Sequence, residues 1–271
     1  MTQEILISEQ PGIAFFSDHY RERVCGQNGI ALFYEFSAVR SQPAKLPIIT
    51  DVCIDLIFYR NELTGQTGVY LYGPPKKPYE MTFEGRRSYF GVRFISGFSP
   101  RLGNFRMPEI IGEVVPVCRE SAMKELVLAV SKDWSFDAQI RNFLNSYKML
   151  SCDLQRTCPQ ELCAAVIRYA LESPATLTLE KLERITGYSR QYLNRVFNAN
   201  VGYSVMNFVK ILRVQNAVTL WLSGQDDIVS IAADTGYCDQ SHLIREFKKY
   251  VGQTPGKYRR LLNLREGSRL R

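Results

Sequence analysis

The hydrophobic pattern changes character partway along the chain. Up to about residue 117, apolar residues come in short β-branched and aromatic runs: Gly29 to Phe36, Ile48 to Phe58, Gly68 to Tyr72 and Tyr89 to Ile95. Such runs predict strands. Turn signals separate them at Gln42-Pro43, Asn61-Glu62, Gly73-Pro74-Pro75 and Glu84-Gly85. Several short strands at this spacing predict a β-sandwich or small barrel. The period then becomes helical. Met123, Leu126, Val127 and Val130 form one stripe over Arg119 to Lys132; Phe136, Ile140, Phe143, Leu144 and Tyr147 form another over Phe136 to Leu150. Each stripe either packs on its own sheet or meets a second subunit.

The pattern predicts three parts: a β-rich unit over 1–150 ending in two helices, a linker over 151–159, and an all-α unit over 160–271. Ser151 to Pro159 is read as the linker because Pro159 blocks a helix. Beyond it the signals are those of helix starts and stops. Glu161 to Glu172 ends at Ser173-Pro174, and Thr178 caps Leu179 to Ile185 before Gly187. Ser189 caps Arg190 to Asn198, and Ser204 opens Val205 to Leu222, closed by Gly224. Asp227 caps Ile228 to Thr235 before Gly236, Gln240 to Tyr250 follows, and Thr254-Pro255 opens a last helix through Leu262.

Within this unit one pattern occurs twice. Thr186-Gly187-Tyr188 recurs as Thr235-Gly236-Tyr237. Leu193, Arg195, Phe197, Val201 and Gly202 then match Leu243, Arg245, Phe247, Val251 and Gly252. Each copy reads as an apolar helix, a glycine turn and a second helix with Leu and Phe four apart. That is a helix-turn-helix, and two of them predict a grip on DNA at two adjacent points. With Leu193 and Phe197 inward, Arg190, Gln191, Asn194 and Arg195 are left facing out. With Leu243 and Phe247 inward, Gln240, Ser241, His242 and Arg245 are. Arg suits the guanine edge, and Asn or Gln the adenine edge. Tyr188 and Tyr237 are expected in the core. Lys210, Lys248, Lys249, Lys257, Arg259 and Arg260 are candidates for backbone phosphates, which set register rather than sequence. The helix from Val205 to Leu222 would span about 27 Å, and can hold two reading helices roughly one DNA turn, about 34 Å, apart.

Charge agrees with this placement. The 271 residues carry a formal +7, and +6 of it lies in 160–271, where 16 Lys and Arg face 10 Asp and Glu. A polyanion is drawn to that end. The start, Met1 to Gln10, is polar, and no stretch approaches the roughly 20 apolar residues of a membrane span. A cytoplasmic protein is expected. Seven cysteines without a Cys-x-x-Cys pair predict reduced thiols rather than a zinc site. Cys152, Cys158 and Cys163 cluster near the expected junction. Only two histidines, His19 and His242, are present, so no metal, cofactor or cupin-type enzyme is expected.

The run from Ile231 to Arg259 resembles the signature of AraC/XylS-type bacterial transcription regulators. The matching residues are Ala232-Ala233, Gly236-Tyr237, Phe247-Lys248-Lys249, Gly252, Thr254-Pro255 and Tyr258-Arg259; Arg213 and Ala217 fit the family's Arg-x-x-x-Ala. The resemblance covers Gln160 to Leu262. Asn198-Ala199-Asn200 departs from the family's Phe-Lys start there and removes one phosphate-binding Lys from the first motif. The resemblance implies Gln191, Asn194 and Arg195 as base readers of the first motif, with Gln240, Ser241, His242 and Arg245 in the second. It also implies an N-terminal sensor, often a cupin-like barrel with trailing dimerisation helices, a small-molecule effector, a homodimer, and activation through RNA polymerase. Asp51 to Phe58 also resembles the sensor halves of some relatives. Regulation by a protein partner instead of a metabolite is the alternative.

Two charges interrupt the apolar strands, Asp55 and Arg93. A buried charge is costly unless paired. Either the two form a structural bridge, or with Tyr70 and Tyr72 they line an effector pocket.

Overall fold

The structure, a computed structural model, describes residues 10–17, 19–38, 44–97, 100, 106–117, 121–151, 157–225 and 227–261. The N-terminal half starts with α1 (Pro11–Phe16), β1 (His19–Gln27), β2 (Ile30–Ala38), β3 (Ala44–Ile48) and β4 (Asp55–Asn61). It continues with β5 (Thr67–Tyr72), β6 (Tyr79–Phe83), β7 (Arg87–Phe94), α2 (Met107–Ile110) and β8 (Val114–Pro116), then α3 (Ser121–Ser131) and α4 (Phe136–Ser151). Six strands form an antiparallel sheet in the order β1-β2-β7-β4-β5-β8, and β3 pairs with β6 in a separate ribbon.

The central strands of the large sheet are buried on both faces. Phe33, Leu56, Phe58, Phe90 and Val92 point to α3 and α4, where Leu126, Val130, Phe136, Phe143 and Tyr147 meet them. Leu32, Tyr34, Phe36, Ile57 and Tyr89 point the other way, to Leu46 and Ile48 of the ribbon and Ile13 of α1. This two-sided burial explains why the central strands are continuous apolar runs rather than alternating ones. The helical stripes on α3 and α4 are spent on their own sheet. A closed barrel is not formed among the described residues: β1 and β8 are the open edges of the large sheet. The β-rich expectation holds, in the form of a layered sheet and ribbon.

The apolar run Ile48 to Phe58 is not one strand. It breaks after Ile48, and 49–54 leaves the sheet before β4 begins at Asp55. The reason lies in the other half of the chain, where Ile49 and Val52 join the helical core.

That half comprises α5 (Cys158–Glu172), α6 (Leu179–Thr186), α7 (Arg190–Val201), α8 (Val205–Leu222), α9 (Ile228–Asp234), α10 (Gln240–Val251) and α11 (255–261). The caps of α6 to α9 follow the sequence signals, and α10 adds one at Asp239 that the sequence reading did not name. Side-chain oxygens of Thr178, Ser189, Ser204, Asp227 and Asp239 accept from first-turn amides of α6 to α10. Left-handed glycines Gly187, Gly202 and Gly252 close α6, α7 and α10. α8 is apolar nearly all round because α5, α7, α9 and α10 all pack on it. Pro159 does not block a helix. It sits in the first turn of α5, where no amide donor is needed, so α5 starts at Cys158. The turn read at Gln42-Pro43, residue Cys152 and Leu262 lie outside the described residues.

The two turn glycines differ in their surroundings. Gly187 has φ +73° and open space where a Cβ would be; Gly236 has φ +78° and the Ala175 carbonyl oxygen 2.3 Å from that point. Gly187→Ala therefore carries only the backbone penalty. It is expected to cost about 1 kcal/mol in urea unfolding, with the helical content unchanged.

Candidate nucleic-acid interface

Each reading helix is presented by its own cap and turn. In the first unit α6, Gly187 and the Ser189 cap aim the start of α7 outward. Gln191 and Arg195 are exposed; the Arg195 guanidinium lies 5.2 Å from the Tyr192 ring, which stacks on Tyr188 at 4.9 Å. Tyr188 is thus 46% exposed and outside the core, whereas its counterpart Tyr237 is buried. The aromatic pair props the arginine at the surface. Arg190 is exposed but ion-paired to Glu180 at 3.2 Å and Glu183 at 3.0 Å, both on α6. The Asn194 Oδ1 accepts from the Val205 amide at 3.1 Å. Its side chain is turned to the start of α8 rather than to solvent.

In the second unit Asp239 caps α10, and Gln240, Ser241 and Arg245 are exposed. His242 is half-buried, edge-on to the Tyr237 ring at 5.1 Å. Arg245 makes no ion pair among the described residues. Lys210 lies 3.9 Å from Glu246. Lys248 and Lys249 occupy the last turn of α10, where cations also suit the helix C-terminus. The Lys249 ammonium donates to the Tyr250 phenol at 3.1 Å, which donates to Asn207 of α8 at 2.8 Å. Lys257, Arg259 and Arg260 are exposed on α11.

Sequence reasoning gave Arg213 no structural task. Its guanidinium donates to the carbonyls of Pro174 at 2.7 Å, Gly236 at 3.2 Å and Leu177 at 3.4 Å. One side chain on α8 so braces the second turn against the α5–α6 connection.

The four N-terminal candidates divide. Arg93 grips Asp55 with Nε at 3.1 Å and a terminal nitrogen at 2.7 Å, and reaches Asp51 at 3.1 Å. Tyr34 donates to Asp55 at 3.0 Å; Gln10 donates to Asp51 at 2.7 Å. Burial pushes the Asp51 carboxyl up to about 6 against the pull of Arg93. A cavity of about 160 Å³ opens beside this cluster, lined by Gln10, Tyr20, Glu22, Tyr34, Arg93 and, from α8, Leu222 among others. Asp55 and Arg93 therefore come together as a bridge, and of the four only Arg93 faces the cavity. Tyr72 and Tyr70 stand on β5 opposite Asp55 and Ile57 and do not line it. Asp51, Gln10 and Tyr34 were missed. Asp51 had a signal, as a second carboxylate four residues before Asp55 in one apolar run.

Comparison with known proteins bears on this geometry. A helix-turn-helix domain family matches residues 182–261, and a domain of unknown function, DUF6597, matches 27–116. The multiple antibiotic resistance protein MarA of Escherichia coli is 32% identical over 99 residues, which are 36% of this chain and 76% of MarA. An HTH-type transcriptional regulator of Haemophilus influenzae is 30% identical over 86 residues, 32% of this chain and 29% of that protein's length. The crystal structure of ToxT from Vibrio cholerae aligns over 88% of this chain and 96% of ToxT, with 12% identity and a TM-score of 0.42. No helix among the described residues is long and apolar enough to cross a membrane. With two capped helix-turn-helix units on one central helix, and MarA matched over three quarters of its length, the chain belongs to the AraC/XylS family of DNA-binding transcription regulators.

Proposed function

We propose that the chain reads two adjacent major-groove segments with α7 and α10, and that a small molecule held by the N-terminal half governs this reading. The observation that carries the first part is the matched exposure of Gln191 and Arg195 on α7 with Gln240, Ser241 and Arg245 on α10. Each set lies on the first turns of a helix backed by a buried Leu and Phe. Lys248, Lys249, Lys257 and Arg259 supply phosphate contacts. Asn194 acts as a cap that positions α8, and Arg190 and His242 contribute after giving up, or around, their internal partners.

The second part is supported by the cavity beside Arg93, which has walls from both halves of the chain. A ligand there would touch Arg93 and Leu222 at once. Activation through RNA polymerase, a homodimer and a cytoplasmic setting complete the reading, as the family implies.

The test is selection of bound duplexes from a random-sequence library by the full chain. Two conserved half-sites about one helical turn apart are expected. Enrichment of a single half-site would remove one helix from the reading. Calorimetric titration with metabolites tests the effector: a saturable heat, lost when Leu222→Trp fills the cavity, is expected. Heat that persists in that variant would place the ligand elsewhere.

A further inference from the structure

We infer that Gln215 and the main chain of Thr50 form a bridge that fixes α10 on α8 and thereby selects the spacing between the two DNA half-sites. Gln215 is fully buried midway along α8, and its Nε2 donates to the Thr50 carbonyl at 2.8 Å. The Thr50 amide donates to the Tyr250 carbonyl at 2.8 Å, in the last turn of α10. Carbonyls in a last helical turn have no partner within their own helix. Here one is satisfied by a peptide group from the other half of the chain.

A buried amide side chain in an otherwise apolar helix costs stability unless it is hydrogen-bonded. A leucine would fill the same volume. The gain from glutamine is directional: the main chain of one residue, through its carbonyl and its amide, links the middle of α8 to the end of α10. Ile49 and Val52 on either side are buried in the helical core and hold that stretch of main chain in place.

The bridge is anchored at its far end in the sheet. Gln10 brackets Ile49, donating to its carbonyl at 2.7 Å and accepting from its amide at 3.1 Å. Arg93 holds Asp51 at 3.1 Å, and the Gly97 amide donates to the Val52 carbonyl at 2.8 Å. Gly202 and Gly252, which end α7 and α10, lie against Ile111 and Pro78 of the N-terminal half. Both reading helices thus rest their C-terminal ends on one support and leave their capped N-terminal ends free. Base pairs step by about 3.4 Å with a rotation at each step, so a change in how α10 sits on α8 changes which separation both helices can meet. Gln215 is a positioning residue in this scheme, because it does not itself reach DNA.

The inference rests on the proposal that α7 and α10 read two sites, and one experiment separates the two. The full chain and Gln215→Met, which keeps the reach but lacks the donor, are each put through selection on the random duplex library. For the unsubstituted chain, two half-sites at one separation are expected. For Gln215→Met the same half-sites are expected at a spread of separations, with affinity for the original spacing lowered roughly 3- to 30-fold. The slope of affinity against salt should not move, since phosphate contacts are unchanged. A single unchanged separation in a Gln215→Met protein that melts cooperatively overturns the bridge. Absence of two half-sites in the unsubstituted chain fails the reading proposal instead. Amide exchange in the unsubstituted chain needs no variant: Thr50 is expected to exchange as slowly as the core of α8. Exchange at the rate of a surface loop also overturns the bridge.

Discussion

Replacing Arg93 by leucine is expected to cost about 3–5 kcal/mol of folding stability, enough to unfold a marginally stable N-terminal half. The guanidinium is 5% exposed and bonded to two carboxylates, those of Asp51 and Asp55, which are themselves 2% and 11% exposed. Removing it leaves two carboxyls buried side by side without their counter-ion, with the remaining donors, Tyr34, Gln10 and the Cys53 amide, too few to compensate. Urea unfolding followed by tyrosine fluorescence measures the loss. Adding Asp51→Asn and Asp55→Asn to Arg93→Leu is expected to recover much of it, because the charges left behind are the main cost. A loss under about 1 kcal/mol would show that the cluster is solvated and adaptable, as a ligand-binding site would be, rather than a structural bridge. The same substitution reaches further than the sheet, because Asp51 adjoins Thr50, whose carbonyl meets α8 and whose amide meets α10.

How much of this was legible in the sequence depends on how local each cause is. The helices of the C-terminal half were readable to within a few residues. Their caps and glycines act within one turn, as the Ser189 and Asp239 side chains accepting from Tyr192 and His242 amides show. Central strands β2, β4 and β7 were readable because both faces are buried. Edge strand β1 was missed: its His19, Arg21, Glu22 and Arg23 are exposed on both faces of the strand, so no apolar run or alternation marks a sheet. β3 was missed for its Pro47, tolerated because the ribbon it shares with β6 has only two strands. In the candidate site the outward set on α7 and α10 followed from the inward Leu and Phe. What did not follow was which of those side chains were already engaged. Arg190 is tied to α6 and Asn194 to the start of α8, and no periodicity encodes either. The break in the run Ile48 to Phe58 was least legible, since Thr50 answers to Gln215, 165 positions away.

That distinction between engaged and available side chains sets the expectations for DNA. Arg245→Ala is expected to weaken binding to the selected duplex by about 1–3 kcal/mol, and to relax the preference at the base it faces. Arg245 is exposed on α10, one turn beyond His242. Among the described residues it has no internal ion pair to break before meeting a base edge. Arg190→Ala should cost less, because the Glu180 and Glu183 bonds that Arg190 must surrender offset what it gains. Lys249→Ala acts differently. Its ammonium, poised by the Tyr250 phenol at the end of α10, would meet a phosphate, which is the same in every sequence. Specific and random duplexes should weaken alike, and the slope of log affinity against log salt should flatten by roughly one. Titrations of both variants on selected and random duplexes, at several salt concentrations, separate these two patterns. Equal losses on both DNAs for Arg245→Ala would reassign it from base to backbone, and with it the orientation of α10 in the groove.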